Sequence, residues 1–161
     1  MVAKITSGVS VYGALYYNQE KVDKGKARTL GWNRIMERPD GTAGIPECMR
    51  SFEAYLAANR RTEKPVIHLS FNPHPDDRLS DGQLEAIGRE YMEKLGYGDQ
   101  PYIIFRHEDN ARPHIHIVSL RIDEQGRKIR DYKEWERSMK ICRELEQKYG
   151  LVPSMKEERK V

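Results

Sequence analysis

The chain has few of the features that mark special classes of protein. Its 161 residues include only two cysteines, Cys48 and Cys142, without CxxC or zinc-finger spacing. We therefore expect reduced thiols in a cytoplasmic protein rather than a disulfide framework. No segment is long and apolar enough to span a bilayer, so no membrane partner is expected, and the start lacks a clear signal-peptide pattern. The sequence shows no internal repeat and no low-complexity block.

The charge is nearly balanced, with 28 Lys plus Arg against 25 Asp plus Glu and a net charge of +3. This balance permits nucleic acid as a partner without requiring it. The length fits one domain with a real core. We expect that domain over residues 1–151 and a charged tail, or the start of a linker, over residues 152–161.

Hydrophobic periodicity predicts both strands and helices. Strands are predicted near 2–8, 28–35, 66–71, 101–107 and 114–122, and helices near 10–22, 46–59, 81–95 and 132–149. Ser80 with Gln83 forms a capping box, and Asp131 with Glu134 is expected to cap the last helix. The inner stripe of that helix is predicted to be Trp135, Met139, Cys142, Leu145 and Tyr149. Because the clearest strand pair is a hairpin, we expect an α+β fold with a central, mostly antiparallel sheet and flanking helices.

Three of the five histidines lie within residues 107–116. His114 and His116 are two apart, so on a strand they share one face. A turn-like segment at 109–113 would bring His107 onto the neighbouring strand beside them. A lone histidine is usually a packed or solvated residue, but three with this spacing favour a metal site with open coordination positions. Such a site suits a divalent ion such as Mn, Mg or Zn.

Two acidic residues follow His107 directly. Asp109 and Glu108 are candidates to accept the outer N–H of a metal-bound histidine, which fixes its tautomer. The alternative for both is a solvated turn, and for Glu108 the two interpretations are equally favoured. His68 is expected either near the site on the adjacent strand or in a core or hydrogen-bonding role, and the two interpretations are equally favoured.

A tyrosine cluster near the N-terminus is the second chemical feature. A tyrosine hydroxyl is an available nucleophile for phosphoryl transfer. On a helix over residues 10–22, Tyr12 and Tyr16 stack on one flank and Tyr17 lies on the other. For each tyrosine taken alone, a place at the edge of the core is the simpler interpretation.

Basic residues surround the predicted hairpin. They are a moderate phosphate-binding signal, because acidic residues are interspersed and part of the set can be a solvated face. The candidates for DNA contacts are Arg106, Arg112, Arg121, Lys128 and Arg130.

Taken together, these motifs resemble the HUH endonucleases, named for a His-apolar-His motif. More narrowly, the chain is similar to the nuclease domain of MobA-type mobilization relaxases over residues 1 to about 151. Residues 107–118 match the three-histidine motif, and 13–18 resemble the nucleophile motif with Tyr17 at the nucleophile's place. The stretches 68–73 and 142–146 also resemble segments of these domains.

The resemblance implies an antiparallel sheet with the histidines on its central hairpin and helices on the opposite face. It implies that Tyr17 attacks a phosphodiester of single-stranded DNA at a transfer origin, forming a 5′-phosphotyrosyl bond and a free 3′-hydroxyl that can later rejoin the strand. A metal held by His107, His114 and His116 would stabilise charge on the phosphate. Accessory mobilization proteins are expected partners.

Three alternatives remain at this point. A rolling-circle replication initiator or a transposase would share the site and differ in its DNA. A metal-stabilised DNA-binding module would use the histidines structurally, although such sites are usually closed by a fourth protein ligand. A hydrolase that uses metal-bound water would leave the tyrosine cluster without a role.

Overall fold

The computed structural model describes residues 1–108 and 112–154. Its elements follow the predicted order: β1 (Val2–Gly8), α1 (Val11–Asp23), β2 (Ala27–Asn33), α2 (Ile45–Ala58), β3 (Val66–Asn72), α3 (Asp81–Leu95), β4 (Tyr102–His107), β5 (His114–Leu120) and α4 (Glu134–Tyr149). The predicted α+β class is confirmed. Within the described ranges, no helix combines the length and the apolar character needed to cross a membrane.

The five strands form one sheet in the order β1-β3-β5-β4-β2, and all neighbouring pairs are antiparallel. β5 is the central strand, flanked by β3 and β4. His107 on β4 lies directly opposite His114 on β5. The predicted hairpin and its place at the centre of the sheet are therefore confirmed.

Helices cover both faces of the sheet. On one face, the apolar side chains of β3, β4 and β5 pack against α3 and α4 in the larger core. On the other face, Val66, Val118 and Leu120 pack against α1 and α2 in a second core. Val118 shares its face of β5 with His116, because side chains two apart on a strand point the same way. The helices that the resemblance implied on the face opposite the histidines are α3 and α4. Helices α1 and α2 cover the histidine face as well, because its apolar end also needs burial.

The ends of α3 agree with its sequence signals. Ser80 Oγ accepts from the backbone N–H of Gln83, and the Gln83 side chain accepts from the N–H of Ser80, which is the expected capping box. Gly96 ends the helix with φ 99°. Inside α3, Gly88 allows close packing on the sheet, because a Cβ there would lie 3.3 Å from Ile117 Cδ1 and 3.7 Å from Ile104 Cδ1.

The start of α4 corrects two expectations. The residue that precedes the helix is Lys133, at φ 51° and with no side-chain cap, so Asp131 does not cap α4. The carboxylate of Glu134 instead binds Arg121. Trp135 is 56% exposed rather than on the inner stripe, because the buried side of α4 begins one turn later, at Ser138.

Candidate metal and nucleophile site

Three histidines meet at the end of the β4–β5 pair. His107 faces His114 across the two strands, and His116 is one pleat further along β5 on the same face. The ring of His107 lies 4.0 Å from that of His116 and 5.3 Å from that of His114, between centroids. One ring nitrogen from each residue lies within 4.8 Å of the others. The sequence-predicted cluster is thus brought together as a set of three nitrogen donors.

Asn18 on α1 holds His107 from outside the cluster. Asn18 Nδ2 donates to the carbonyl oxygen of Ala14 at 2.7 Å, which leaves its Oδ1 to accept from His107 Nε2–H at 2.7 Å. This bond assigns the Nε2–H tautomer to His107, so its lone pair is on Nδ1. Sequence reasoning placed Asn18 on the inner stripe of α1 but missed this role. The signal was a polar residue at a core position, since a buried amide needs a partner.

His68 on β3 is the corresponding partner of His116. Its Nε2 lies 2.9 Å from His116 Nδ1, so the two nitrogens share one proton in a hydrogen bond. Burial lowers the pKa of His68, which favours the neutral ring. The bond uses Nδ1 of His116 and leaves its Nε2 for the cluster. His68 therefore lies beside the cluster and is also hydrogen-bonded to it, so its two expected interpretations hold together.

Tyr17 is the tyrosine next to the histidines. Its ring centroid lies 6.1 Å from that of His107, 6.3 Å from that of His116 and 6.4 Å from that of His68. Tyr12 and Tyr16 stack on each other at 5.8 Å on the other flank of α1. Within the described chain, neither of these two has a ring contact with a histidine. The geometry therefore separates Tyr17 from its two neighbours, among which the helical periodicity of α1 alone could not choose.

An open groove gives Tyr17 access to solvent. Its volume is about 350 Å³, and Tyr17, His68 and His116 line it together with Lys4, Thr6 and Ser70. Tyr17 is 48% exposed, and the ammonium of Lys21 lies 5.8 Å from its ring centroid. A phosphodiester lying in this groove would meet the tyrosine, the histidines and the positive charge of Lys4 at once.

The donor set fits a divalent metal ion. Three neutral imidazoles keep the full charge of the ion, and they bind first-row metals such as Zn and Mn. His107 and His116 each have their second nitrogen in a hydrogen bond, to Asn18 and His68 respectively. Outer partners of this kind fix the rings of ligating histidines. Three protein ligands leave coordination positions for a substrate oxygen.

Glu108 lies away from the cluster, so of its two equally favoured interpretations the role beside a metal-bound histidine is the wrong one. It follows His107 directly, so its side chain leaves the other side of the strand. Its carboxylate pairs with Arg106 Nε at 3.0 Å and with Arg28 at 3.2 Å. Asp109, the other candidate for this role, lies outside the described residues. Among the described residues, Asn18 bonds His107, His68 bonds His116, and the backbone oxygen of Arg112 lies 3.3 Å from His114 Nδ1.

The expected DNA-contacting residues lie in different environments. Arg121 is 5% exposed, and its guanidinium donates to Glu134 at 2.9 Å and 3.0 Å, to Tyr97 and to Ser7. Its guanidinium is therefore engaged inside the fold and is not exposed for contact with DNA. Lys128 pairs with Asp131 at 3.2 Å.

The remaining basic candidates differ in the partners that their guanidinium groups have within the protein. Arg130 lies over the ring of Tyr132 at 5.0 Å. Arg106 binds Asp81 at 2.7 Å as well as Glu108. Arg112 lines a cavity beside the hairpin.

The chain matches a family model described as relaxase, MobA/VirD2-like, nuclease domain, over residues 17–151. The chain belongs to this family. The relaxase match covers most of the sequence, and Tyr17, His68 and the three clustered histidines all lie within it. The family is that of DNA-nicking enzymes of mobilization, which bind single-stranded DNA at an origin of transfer. No curated protein gives a significant match.

Proposed function

We propose that this relaxase domain nicks and rejoins one strand of DNA at a transfer origin, with Tyr17 as the nucleophile. The observation that carries the proposal is the position of Tyr17 on an open groove. Its ring centroid lies 6.1–6.4 Å from those of His107, His116 and His68. A nucleophile and a set of metal ligands on one groove are what phosphoryl transfer needs. Neither a structural metal site nor a hydrolase that activates water would need a tyrosine there.

The proposed step exchanges one phosphoester bond for another. The Tyr17 oxygen attacks phosphorus, an O–P bond forms, and the bond from phosphorus to the 3′ oxygen breaks. The leaving 3′ oxygen takes up a proton, and the phenol proton passes to solvent, to which Tyr17 is half exposed. The products are a 5′-phosphotyrosine and a 3′-hydroxyl. Attack by that hydroxyl on the adduct reverses the step and rejoins the strand.

His107, His114 and His116 would hold a divalent ion, which supplies charge stabilisation for the phosphate oxygens when it is bound. Asn18 keeps His107 in the tautomer that presents a lone pair, and His68 holds the ring of His116 through a hydrogen bond to its Nδ1. We propose Mn, Mg or Zn as the ion, because open three-histidine sites accept several metals and availability decides among them.

The proposed DNA contacts begin beside the groove. Lys4 lines it, and Lys21 lies over the Tyr17 ring. Of the residues expected from sequence, Arg112 is the strongest candidate, while Arg106, Lys128 and Arg130 are proposed as secondary contacts because each has a partner within the protein. In this proposal the enzyme acts in the cytoplasm, where the mobile DNA is, together with accessory mobilization proteins.

The test is an adduct assay. Purified protein is mixed with single-stranded oligonucleotides tiled across the DNA that flanks its gene, with Mn²⁺ or with EDTA, and SDS-resistant shifted bands are scored. We expect a metal-dependent band that Tyr17→Phe abolishes. Tyr16→Phe and Tyr12→Phe are the matched controls and should keep the band. Loss of the band in either control, with Tyr17→Phe still active, would refute the choice of nucleophile.

The same assay separates the alternative chemistries. A hydrolase that uses metal-bound water would cut the strand, leave a free 5′-phosphate and form no band. A binding module would retard the oligonucleotide in a native gel without cutting it. A rolling-circle initiator or a transposase would form the band with DNA of a replication origin or a transposon end, so the tile that reacts identifies the process.

A further inference from the structure

A second and larger cavity lies at the same end of the sheet as the histidines, on the opposite face. Its volume is about 520 Å³. Arg106 lines it from the position before His107, and Pro113 lines it from the position before His114. Because neighbouring residues on a strand point to opposite faces, the Arg106 side chain leaves the sheet on the face opposite the His107 ring. The end of the hairpin thus separates the cavity from the metal and nucleophile site.

The cavity combines apolar walls with positive charge. Proline and leucine side chains form much of its wall: Pro73, Pro75, Leu79, Leu84 and Pro113. Arg78 and Arg112 also line it, and in the described part of the chain no ion pair engages either guanidinium. The carboxylate in the described lining is Asp77, which accepts from the backbone N–H of Val152. The charge that this cavity offers to a ligand is therefore positive.

We infer that this cavity binds one unstacked nucleotide of the single strand, and the inference rests on the proposed function. Apolar walls suit the face of a nucleobase, and the two guanidinium groups suit the phosphate attached to it. The volume falls within the range of about 300–1,000 Å³ that is typical of small-ligand sites. A DNA strand that passes the end of the β4–β5 hairpin would reach the groove of Tyr17 on one face of the sheet and this cavity on the other face.

Free nucleotides share this chemistry, so the test compares two ligands. Isotope-labelled Tyr17→Phe protein, which cannot form the adduct, is titrated with an oligothymidylate of eight residues and separately with thymidine monophosphate. Stacking tolerates any base, so no cognate sequence is needed. We expect saturable shifts of the backbone amides of Leu79, Leu84 and Arg112 with the oligonucleotide, and affinity for the monophosphate at least tenfold weaker. Equal affinity for the two ligands would overturn the assignment to a strand.

A matched pair of variants tests the role of the charge. Arg112→Gln and Arg60→Gln remove the same charge, and Arg60 is an exposed residue that follows α2. We expect Arg112→Gln to weaken oligonucleotide binding about fivefold and to lower the slope of log affinity against log salt by about one, as the loss of one phosphate contact does. Arg60→Gln should leave the slope unchanged. Equal effects of the two variants would show general attraction and overturn the site.

The outcome is separable from the fate of the proposed function. If wild-type protein forms the Tyr17 adduct but the amides around the cavity do not shift, the inference fails and the nicking function stands. If those amides shift and Arg112→Gln selectively weakens binding, while no oligonucleotide forms an adduct, the nucleotide site stands and the proposed nucleophile fails.

Discussion

Replacing Asn18 by leucine tests how the proposed metal ligands are held. The side chain of Asn18 is fully buried, and its Oδ1 accepts from His107 Nε2 at 2.7 Å. Leucine has a similar size, so Asn18→Leu removes the acceptor without opening a large cavity. The ring of His107 would then lose the bond that fixes its tautomer, and its proton could move to Nδ1, the nitrogen that is not bonded to Asn18.

Loss of the bond between Asn18 and His107 should lower both the free energy of unfolding and the affinity for metal. A buried N–H that loses its acceptor costs about 1–3 kcal/mol, and leucine returns up to about 0.5 kcal/mol through its better helix propensity. We therefore expect the free energy of unfolding of the metal-free protein to fall by about 1–2 kcal/mol, measured by urea denaturation. Loss of an outer partner of a metal ligand lowers metal affinity about tenfold to a hundredfold.

Calorimetric titration with Mn²⁺ and Zn²⁺ measures the second effect. Asn18→Asp is the matched control, because it keeps an oxygen acceptor for His107 and should bind metal at least as tightly as the wild type. The decisive comparison is between the two variants, since both alter a buried position of α1. Wild-type metal affinity in Asn18→Leu would refute the role given to Asn18 and the tautomer derived from it.

Three further predictions concern the fold. Gly88→Val should lower the free energy of unfolding by about 1–3 kcal/mol by overpacking α3 against the sheet, whereas Gly82→Val on the exposed side of the same helix should cost less, as urea denaturation would show. Arg121→Ala should cost about 3 kcal/mol because it leaves a carboxylate of α4 without its buried partner, and DNA affinity of the folded variant should be unchanged in anisotropy titrations. Burial raises the pKa of Cys48 to about 12 and that of Cys142 to about 11, so Ellman's reagent at pH 8 should label both thiols only after unfolding; rapid labelling of native protein would contradict this.

Local sequence rules were sufficient for the ligand cluster. The period of two on a strand places His114 and His116 on one face, and a short hairpin has only a few registers. The observed pairing of His107 with His114 is one that a turn over 109–113 allows. Similarly, the capping box at Ser80 depends on neighbours three residues apart. Interactions of this range can be read from the chain directly.

Interactions between distant parts of the chain were beyond such rules. The bond from Asn18 to His107 joins residues 89 apart, and the bond from His68 to His116 joins residues 48 apart. Which face of the sheet α1 covers depends on the packing of the second core, and this decides whether its tyrosines can reach the histidines. The role of Arg121 also depends on a distant contact. The sequence shows its positive charge, but only the structure shows that Glu134 of α4 binds it.

The bond between Asn18 and His107 also explains why one tyrosine of three is at the site. Each residue turns an α-helix by about 100°, so bringing Tyr16 to the place of Tyr17 would need α1 to rotate by that angle. Such a rotation would break the Asn18 bond and lift Leu15, which is 1% exposed, out of the second core. The cost is the burial of a leucine, about 2 kcal/mol, together with a buried hydrogen bond. The residue that orients His107, a proposed metal ligand, therefore also fixes the rotation of the helix that carries the proposed nucleophile. For this reason Asn18→Leu is expected to reduce adduct formation even at metal concentrations that saturate the variant.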